Sequence, residues 1–218
     1  MAASIDPALR DELESVYRVY AALVRDLDSD NGIGGQLLYA GELDEQGGRL
    51  VRAANIAGAA SLSATNDVSL QRQAIREGIV DFLVTSLDEA LRILKNEIRK
   101  RNAVAVGVAA APSQVLAEMG ERAVLPDLVR GASDESADFI SRGARAIEPV
   151  SLSSAGGLMV VTAPHADFEA RVLGLVPESD YATRRRVRLS PRYLGPQVRR
   201  MRSLWCKHDL ALKLGLDS

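Results

Sequence analysis

Between Gln36 and Val129 the chain alternates between two hydrophobic periodicities, and few folds accommodate that. Apolar runs of strand length occupy Gln36–Ala40, Ala59–Ala64, Val80–Thr85, Ala103–Val108 and Leu125–Val129. Stretches with helical spacing separate them: Gln46–Ala57, Val68–Glu77, Ser86–Lys100 and Ser113–Arg122. Strand and helix in alternation, joined by short loops, predict an α/β fold: a parallel sheet with right-handed crossovers and helices on both faces. Aromatic residues make up only 4% of the chain against 47% hydrophobic residues overall, so the core is expected to be Ala, Leu, Val and Ile.

The flanks read differently. Residues 5–28 carry Leu9, Leu13, Val16, Tyr17, Tyr20, Leu23, Val24 and Leu27 at helical spacing, with Asp6-Pro7 as a helix start. "DSDNGIGG" then supplies a flexible connection. Beyond Asp134 the pattern loosens. "SADFISRGARAIEPV" reads as helical, and "GGLMVVTAP" and "FEARVLGLVP" read as strands. The tail is basic and broken by Pro191 and Pro196. The division expected is an N-terminal helix and linker over 1–35, an α/β domain over 36–178 and a basic C-terminal extension over 179–218. In open parallel sheets ligands sit outside the C-terminal strand ends, where strand order reverses. That rule places 41–48, 65–67, 109–112 and 131–134 near one rim.

The totals exclude more than they assign. A formal net charge of -2 gives no global attraction to nucleic acid or anionic membrane. No apolar run approaches the roughly 18 residues of a membrane span, and the N-terminus lacks the basic and apolar regions of a signal peptide. Cys206 is the only cysteine, so no disulfide can form within the chain. A soluble cytoplasmic protein is the expectation.

Within this frame the stretches "AGELDEQGGRLVRAANIAGAASLSATND", "SLDEAL" and "PDLV", in this order and spacing, resemble the central Rossmann-like domain of urocanase (urocanate hydratase) over roughly 37–129. The resemblance implies a Rossmann-like fold and NAD as a possible cofactor. Urocanases hold NAD+ as an electrophile while water adds to urocanate. It points to Gly41, Gly47, Gly48, Thr65 and Asp67 as the cofactor-binding candidates. The family's glycine loop resembles A-G-x-G-G-M-G-G-A-Q-P. Gly47 and Gly48 match its second glycine pair, whereas Asp44 and Glu45 stand at the first pair and Leu50 and Val51 at the Gln-Pro. A pyrophosphate is held by close-approaching backbone N–H groups at the positive end of a helix, and carboxylates there add bulk and repulsion. Dinucleotide sites place an acid on the ribose about 20 residues later. Thr65 stands at that position, two residues before Asp67, itself a natural N-cap. The family's T-D-Q-T-S-A-H-D segment meets "RGASDESAD" here. Arg130 replaces the Thr, Gly131 the first Asp, Ser136 the His and Ala137 the last Asp, while a one-residue slip would recover Asp138 but no His. No catalytic residue is carried over.

Other chemistry is thin. His165 in "VTAPHADFE", near Asp167, could serve as an acid or base, or simply lie on a loop. Cys206 and His208 in "WCKHD" form no metal set, and a C-terminal helix with Trp205 inward is the plainer reading. Arginines 184, 185, 186, 188, 192, 199, 200 and 202 form a run without acids. It suits an anionic ligand, an acidic partner surface or this chain's own acidic N-terminal helix better than nucleic acid. A homodimer is expected, with the N-terminal helix or the C-terminal extension at its interface and Leu13, Tyr17, Tyr20 and Val24 as the leading residues. Three function classes remain. One is a urocanase-like binding or interaction module without hydratase activity, open to a small anionic ligand. The second is a nucleotide- or metabolite-binding enzyme using the strand-end rim. The third is a subunit of a urocanase-related NAD-dependent hydro-lyase completed by other chains.

Overall fold

A computed structural model of the chain describes residues 7–25, 32–131, 133–150, 158–162, 168–194 and 203–215. β1 (Leu37–Glu42) is the central strand, pairing in parallel with β2 (Ala60–Ala64) on one side and β5 (Leu128–Arg130) on the other. β4 (Val104–Val108) and then β3 (Phe82–Val84) continue beyond β2, and β6 (Arg145–Ile147) lies beyond β5. The sheet order is β3-β4-β2-β1-β5-β6, all parallel. Alternate side chains feed opposite faces, as a pleated strand requires. Leu38, Ala40, Leu128 and Ile147 enter one core. Leu37, Tyr39, Leu62, Val106 and Val129 enter the other. Two aspartates fasten strand starts: Asp127 Oδ2 accepts from Leu37 N at 2.7 Å, and Asp81 Oδ2 from Ala105 N at 2.8 Å.

The crossover helices sit where strand direction puts them. α2 (Glu45–Ala57) and α3 (Val68–Glu77) cover the first core. α4 (Leu87–Arg99), α5 (Pro112–Glu121) and α6 (Asp134–Ser141) cover the second. Ser86 caps α4 by accepting from Glu89 N at 3.3 Å. The expected return bond of Glu89 goes one residue earlier, to Thr85 N at 3.0 Å. α1 (Pro7–Leu23) and α8 (Tyr181–Tyr193) both pack on α2 from outside. The remaining described elements are β7 (Leu158–Thr162), α7 (Phe168–Leu175), β8 (Ser203–Lys207) and α9 (His208–Lys213), with β7 and β8 antiparallel.

Several expectations change. The first helix ends at Leu23, β3 is shorter than Val80–Thr85, and the fifth strand is shifted to Leu128–Arg130. Pro126 cannot donate to the ladder, and Asp127 is used as a clamp. The stretch read as one helix after 135 stops at Ser141, and Arg145–Ile147 forms β6. Gly143, at φ +106, makes the turn between them. "FEARVLGLVP" is helical over Phe168–Leu175, and Trp205 lies in β8, not in a helix. His165 falls outside the described residues.

Three arginines at the start of the basic stretch are used within the fold. Arg185 Nε donates to Ile56 O, a last-turn carbonyl of α2, at 2.9 Å. Arg184 bonds Leu173 O at 2.8 Å and Val176 O at 2.9 Å, at the end of α7. Arg186 is buried with its guanidinium 4.8 Å from the Tyr17 ring centroid. Elsewhere Arg145 bonds Ala22 O and Leu23 O at the end of α1, and Arg52 bonds Tyr193 O at the end of α8. Apart from Arg186, each of these cations meets carbonyls that a helix leaves unsatisfied, at its negative end.

The side chains expected at a homodimer interface are used within the chain. Leu13, Tyr20 and Val24 are buried, and the Tyr20 hydroxyl donates to Ala182 O at 2.7 Å. Tyr20→Glu should therefore lower the unfolding free energy by more than about 3 kcal/mol, by burying an unpaired charge, rather than split an oligomer. Urea denaturation alongside light scattering separates the two outcomes. Arg185→Met should cost about 1.5–3 kcal/mol, the range for a hydrogen bond to a charged group, in the same denaturation measurement.

Candidate functional site

Strand order reverses at β1. The chain leaves β1 toward β2 with α2 on one face, and later passes from β4 over to β5 with α5 on the opposite face. Helices diverging to opposite faces leave a crevice outside the carboxyl ends of β1 and β5. A cavity of about 860 Å³ lies there, reached by the heads of α2, α5 and α6 and flanked by α1. Its floor includes Tyr39, Val129 and Ile147, and its polar groups include Arg18, Arg49, Arg130, Glu135 and Glu148. Gly41, at φ +70, lines it as well.

The head of α2 is tightly built. A Cβ on Gly47 would come within 2.0 Å of Glu42 O, so the helix starts directly against the end of β1 and only glycine fits. Asp44 is the N-cap, its Oδ1 accepting from Gly47 N at 2.7 Å. The same carboxylate receives Arg130 from β5 in a two-pronged pair, Nη1 to Oδ1 and Nη2 to Oδ2, both at 3.1 Å. Arg130 Nη2 also bonds Gln46 Oε1 at 2.7 Å. The parallel fork is the strong geometry for guanidinium and carboxylate. Gly48 N donates to Asp44 O at 2.8 Å. Glu45 is exposed and pairs with Arg49 one turn on. A first-turn amide that a phosphate would use is thus bonded to a carboxylate of the chain.

Thr65 and Asp67 stand apart from the crevice. Thr65 is fully buried: its Oγ1 accepts from Asp67 N at 3.2 Å and its carbonyl from Gln71 Nε2 at 2.9 Å. Asp67 caps α3, accepting from Ser69 N at 2.7 Å and Leu70 N at 3.4 Å. Those backbone bonds hold its carboxyl below the usual range. Gly48 lines a second cavity of about 600 Å³ between α1, α2 and α3. The five glycine-loop and ribose candidates therefore divide: Gly41 faces the crevice, Gly47 and Gly48 form the head of α2, and Thr65 and Asp67 close the next loop.

The segment after β5 also closes on itself. Ser136 Oγ accepts from Ser133 N at 2.9 Å and bonds Gly131 O at 3.0 Å, while Ser133 Oγ accepts from Ser136 N at 3.3 Å. This is a reciprocal cap on α6. Asp138 is the fifth residue of α6, paired with Arg142 at 3.4 Å. Above the floor, the Tyr39 hydroxyl donates to Pro112 O at 3.2 Å. Burial pushes the phenol well above its ordinary value, with Glu135 and Glu42 adding to the rise, so it keeps its proton. Among the described residues no group of three His, Cys, Asp or Glu side chains is placed to hold a metal ion. Nor is any helix there long and apolar enough to cross a membrane. Tyr39, Arg18, Arg49 and Glu148 were not singled out in the sequence. Only Tyr39, an aromatic near the end of a predicted strand, carried a signal for it.

A six-stranded parallel sheet with its crevice at the reversal of strand order defines a Rossmann-like domain, a class compatible with dinucleotide binding. The urocanase Rossmann-like domain family matches residues 13–139, more than half of the chain, and the chain belongs to that family.

Asp67 gives a pH test. Its folded carboxyl titrates below the reference value of 3.8, so the cap's stabilisation is present above that value and is lost as pH falls through the folded value. Protection at Ser69 and Leu70, taken relative to intrinsic exchange at the same pH, should fall over that acid range in the native protein. Asp67→Asn should remove this pH dependence.

Proposed function

We propose that this urocanase-family chain is a cytoplasmic binding module without urocanate hydratase activity. The observation that carries this reading is the reciprocal cap at Ser133 and Ser136. Ser136 stands where the resemblance expects a histidine, and its hydroxyl is engaged with Gly131 O and Ser133. Ala137 beside it offers no acid. Hydration needs a group that hands a proton to or takes one from the reacting atoms, within hydrogen-bond reach. Neither of these positions supplies one.

The crevice itself is retained and is large enough for a small metabolite. Its charged lining is mixed, Arg18, Arg49 and Arg130 with Glu42, Glu135 and Glu148, and a small anion would bind by taking Arg18 from Glu14 or Arg49 from Glu12 and Glu45. Tyr39, protonated, offers a donor if its bond to Pro112 O is exchanged. NAD as the family uses it does not suit the residues present. The Gly47 amide is bonded to Asp44, and Thr65, at the ribose position, is buried and bonded locally. The single cysteine suits a reducing compartment. A homodimer remains the assembly we expect, formed on a surface other than the apolar stripe of α1.

Urocanate absorbs in the ultraviolet, so hydration can be followed directly. Purified protein should leave the absorbance unchanged with or without added NAD+, and steady loss of the band proportional to protein concentration would overturn the reading.

A further inference from the structure

On the reading of the crevice as a binding site without hydratase chemistry, we propose that Asp44 is this chain's own occupant of the anion position at the head of α2. Arg130, which lines the crevice, holds it there, so the pair occupies the helix head at the crevice's edge. Three observations converge. The head of α2 keeps a glycine at 47, required because a Cβ there would meet Glu42 O at 2.0 Å. The Gly47 amide that an anion would receive is bonded to Asp44 Oδ1 at 2.7 Å. Arg130, reaching from β5 across the reversal point, forms two 3.1 Å bonds to the same carboxylate. A planar anion with two oxygens on one guanidinium and one of them on a helix-head amide is how these groups would receive one edge of a phosphate. Here the anion is covalently part of the chain.

The pair is an autoinhibitory contact. A phosphate-bearing ligand must displace Asp44 from both Arg130 and Gly47 N, and the displaced carboxylate then stays nearby and repels it. The effective concentration of a tethered group is in the millimolar range or above, which a free anion must exceed. Removing Asp44 should release two donors at once, the amide and the guanidinium. Removing Arg130 alone should release none, because the carboxylate still caps α2. The consequence differs from that of a carboxylate that merely blocks the site: Arg130 turns from a partner of Asp44 into a ligand for the incoming anion.

The test is calorimetric titration of the full chain with inorganic pyrophosphate, and separately with NAD+, at low salt. Wild type and Arg130→Thr should show no binding below millimolar concentrations. Asp44→Gly should bind pyrophosphate at least about tenfold more tightly, a gain of about 1.4 kcal/mol. Asp44→Gly with Arg130→Thr should lose most of that gain. Asp44→Asn keeps an oxygen for Gly47 N and removes the charge, so it should fall between wild type and Asp44→Gly. Circular dichroism melts confirm that each variant is folded, and Asp44→Asn carries the test if loss of the cap unfolds Asp44→Gly. Micromolar binding of pyrophosphate by wild type would overturn the proposal. So would folded Asp44 variants that bind no better than wild type, or a gain that Arg130→Thr leaves untouched. These readouts are binding, and hydration of urocanate is read as turnover, so the two conclusions can fail separately.

Discussion

The fold depends on α2 being buried from both sides. Its inner face lies on β1 and β2, and its outer face is covered by α1 and α8. Leu50, Val51, Ala53, Ala54, Ile56 and Ala57 are all nearly inaccessible, which a helix shows only when it is enclosed. Small residues make this possible. Gly47 lets the helix begin against the end of β1, and the alanines let it lie close to the sheet. The same geometry brings Gln46, Arg49 and Leu50 of α2 to the crevice wall. The position of the site and the stability of the three layers rest on one contact surface.

Enclosure raises a problem at the far end of α2, where last-turn carbonyls would be left without solvent. Arg185 solves it from α8 by bonding Ile56 O, and Gly58 closes the helix in the left-handed conformation at φ +102. The exchange is mutual, since Arg52 of α2 bonds Tyr193 O at the end of α8 and also Glu77 of α3 at 2.9 Å. Arginine suits this work because its long aliphatic stem can be buried while a planar head with several donors reaches a carbonyl. A run of arginines in a sequence invites a search for phosphate partners. Here the described members at 184 and 185 hold helix ends, and that at 186 lies over a tyrosine ring.

The parallel sheet was legible because each unit contains a local signal. Val104–Val108 is a run of small and β-branched residues with no helical period, and the Asp67 and Ser86 caps mark their helices. The elements missed lack such signals or carry opposing ones. β6 is three residues long with an arginine in it, and its strand character comes from pairing with Leu128–Arg130. α7 carries Phe168, Val172 and Gly174, which weaken a helical reading, and it packs against α8. α8 contains Pro191, yet the ring sits in the last turn, where the helix is about to end. Of the site, the rim loops could be placed by topology and Asp44 by its mismatch with the glycine pattern. The contribution of α1 through Arg18 could not be seen, because it depends on how α1 crosses α2.

Asp44 and Arg130 look like two unrelated departures when each is compared with a family pattern alone. Apart in sequence by most of the domain, they meet at 3.1 Å because β1 and β5 are neighbours at the reversal of strand order. Asp44 alone would still cap α2 at its positive end, whereas an arginine alone would face the cluster of helix heads with like polarity. Together they form a neutral, forked pair that also serves as a helix cap. As a partly exposed ion pair it adds only about 0–1 kcal/mol to stability. What the pair does decide is the charge and occupancy of the helix head, which determine whether the crevice can receive a phosphate.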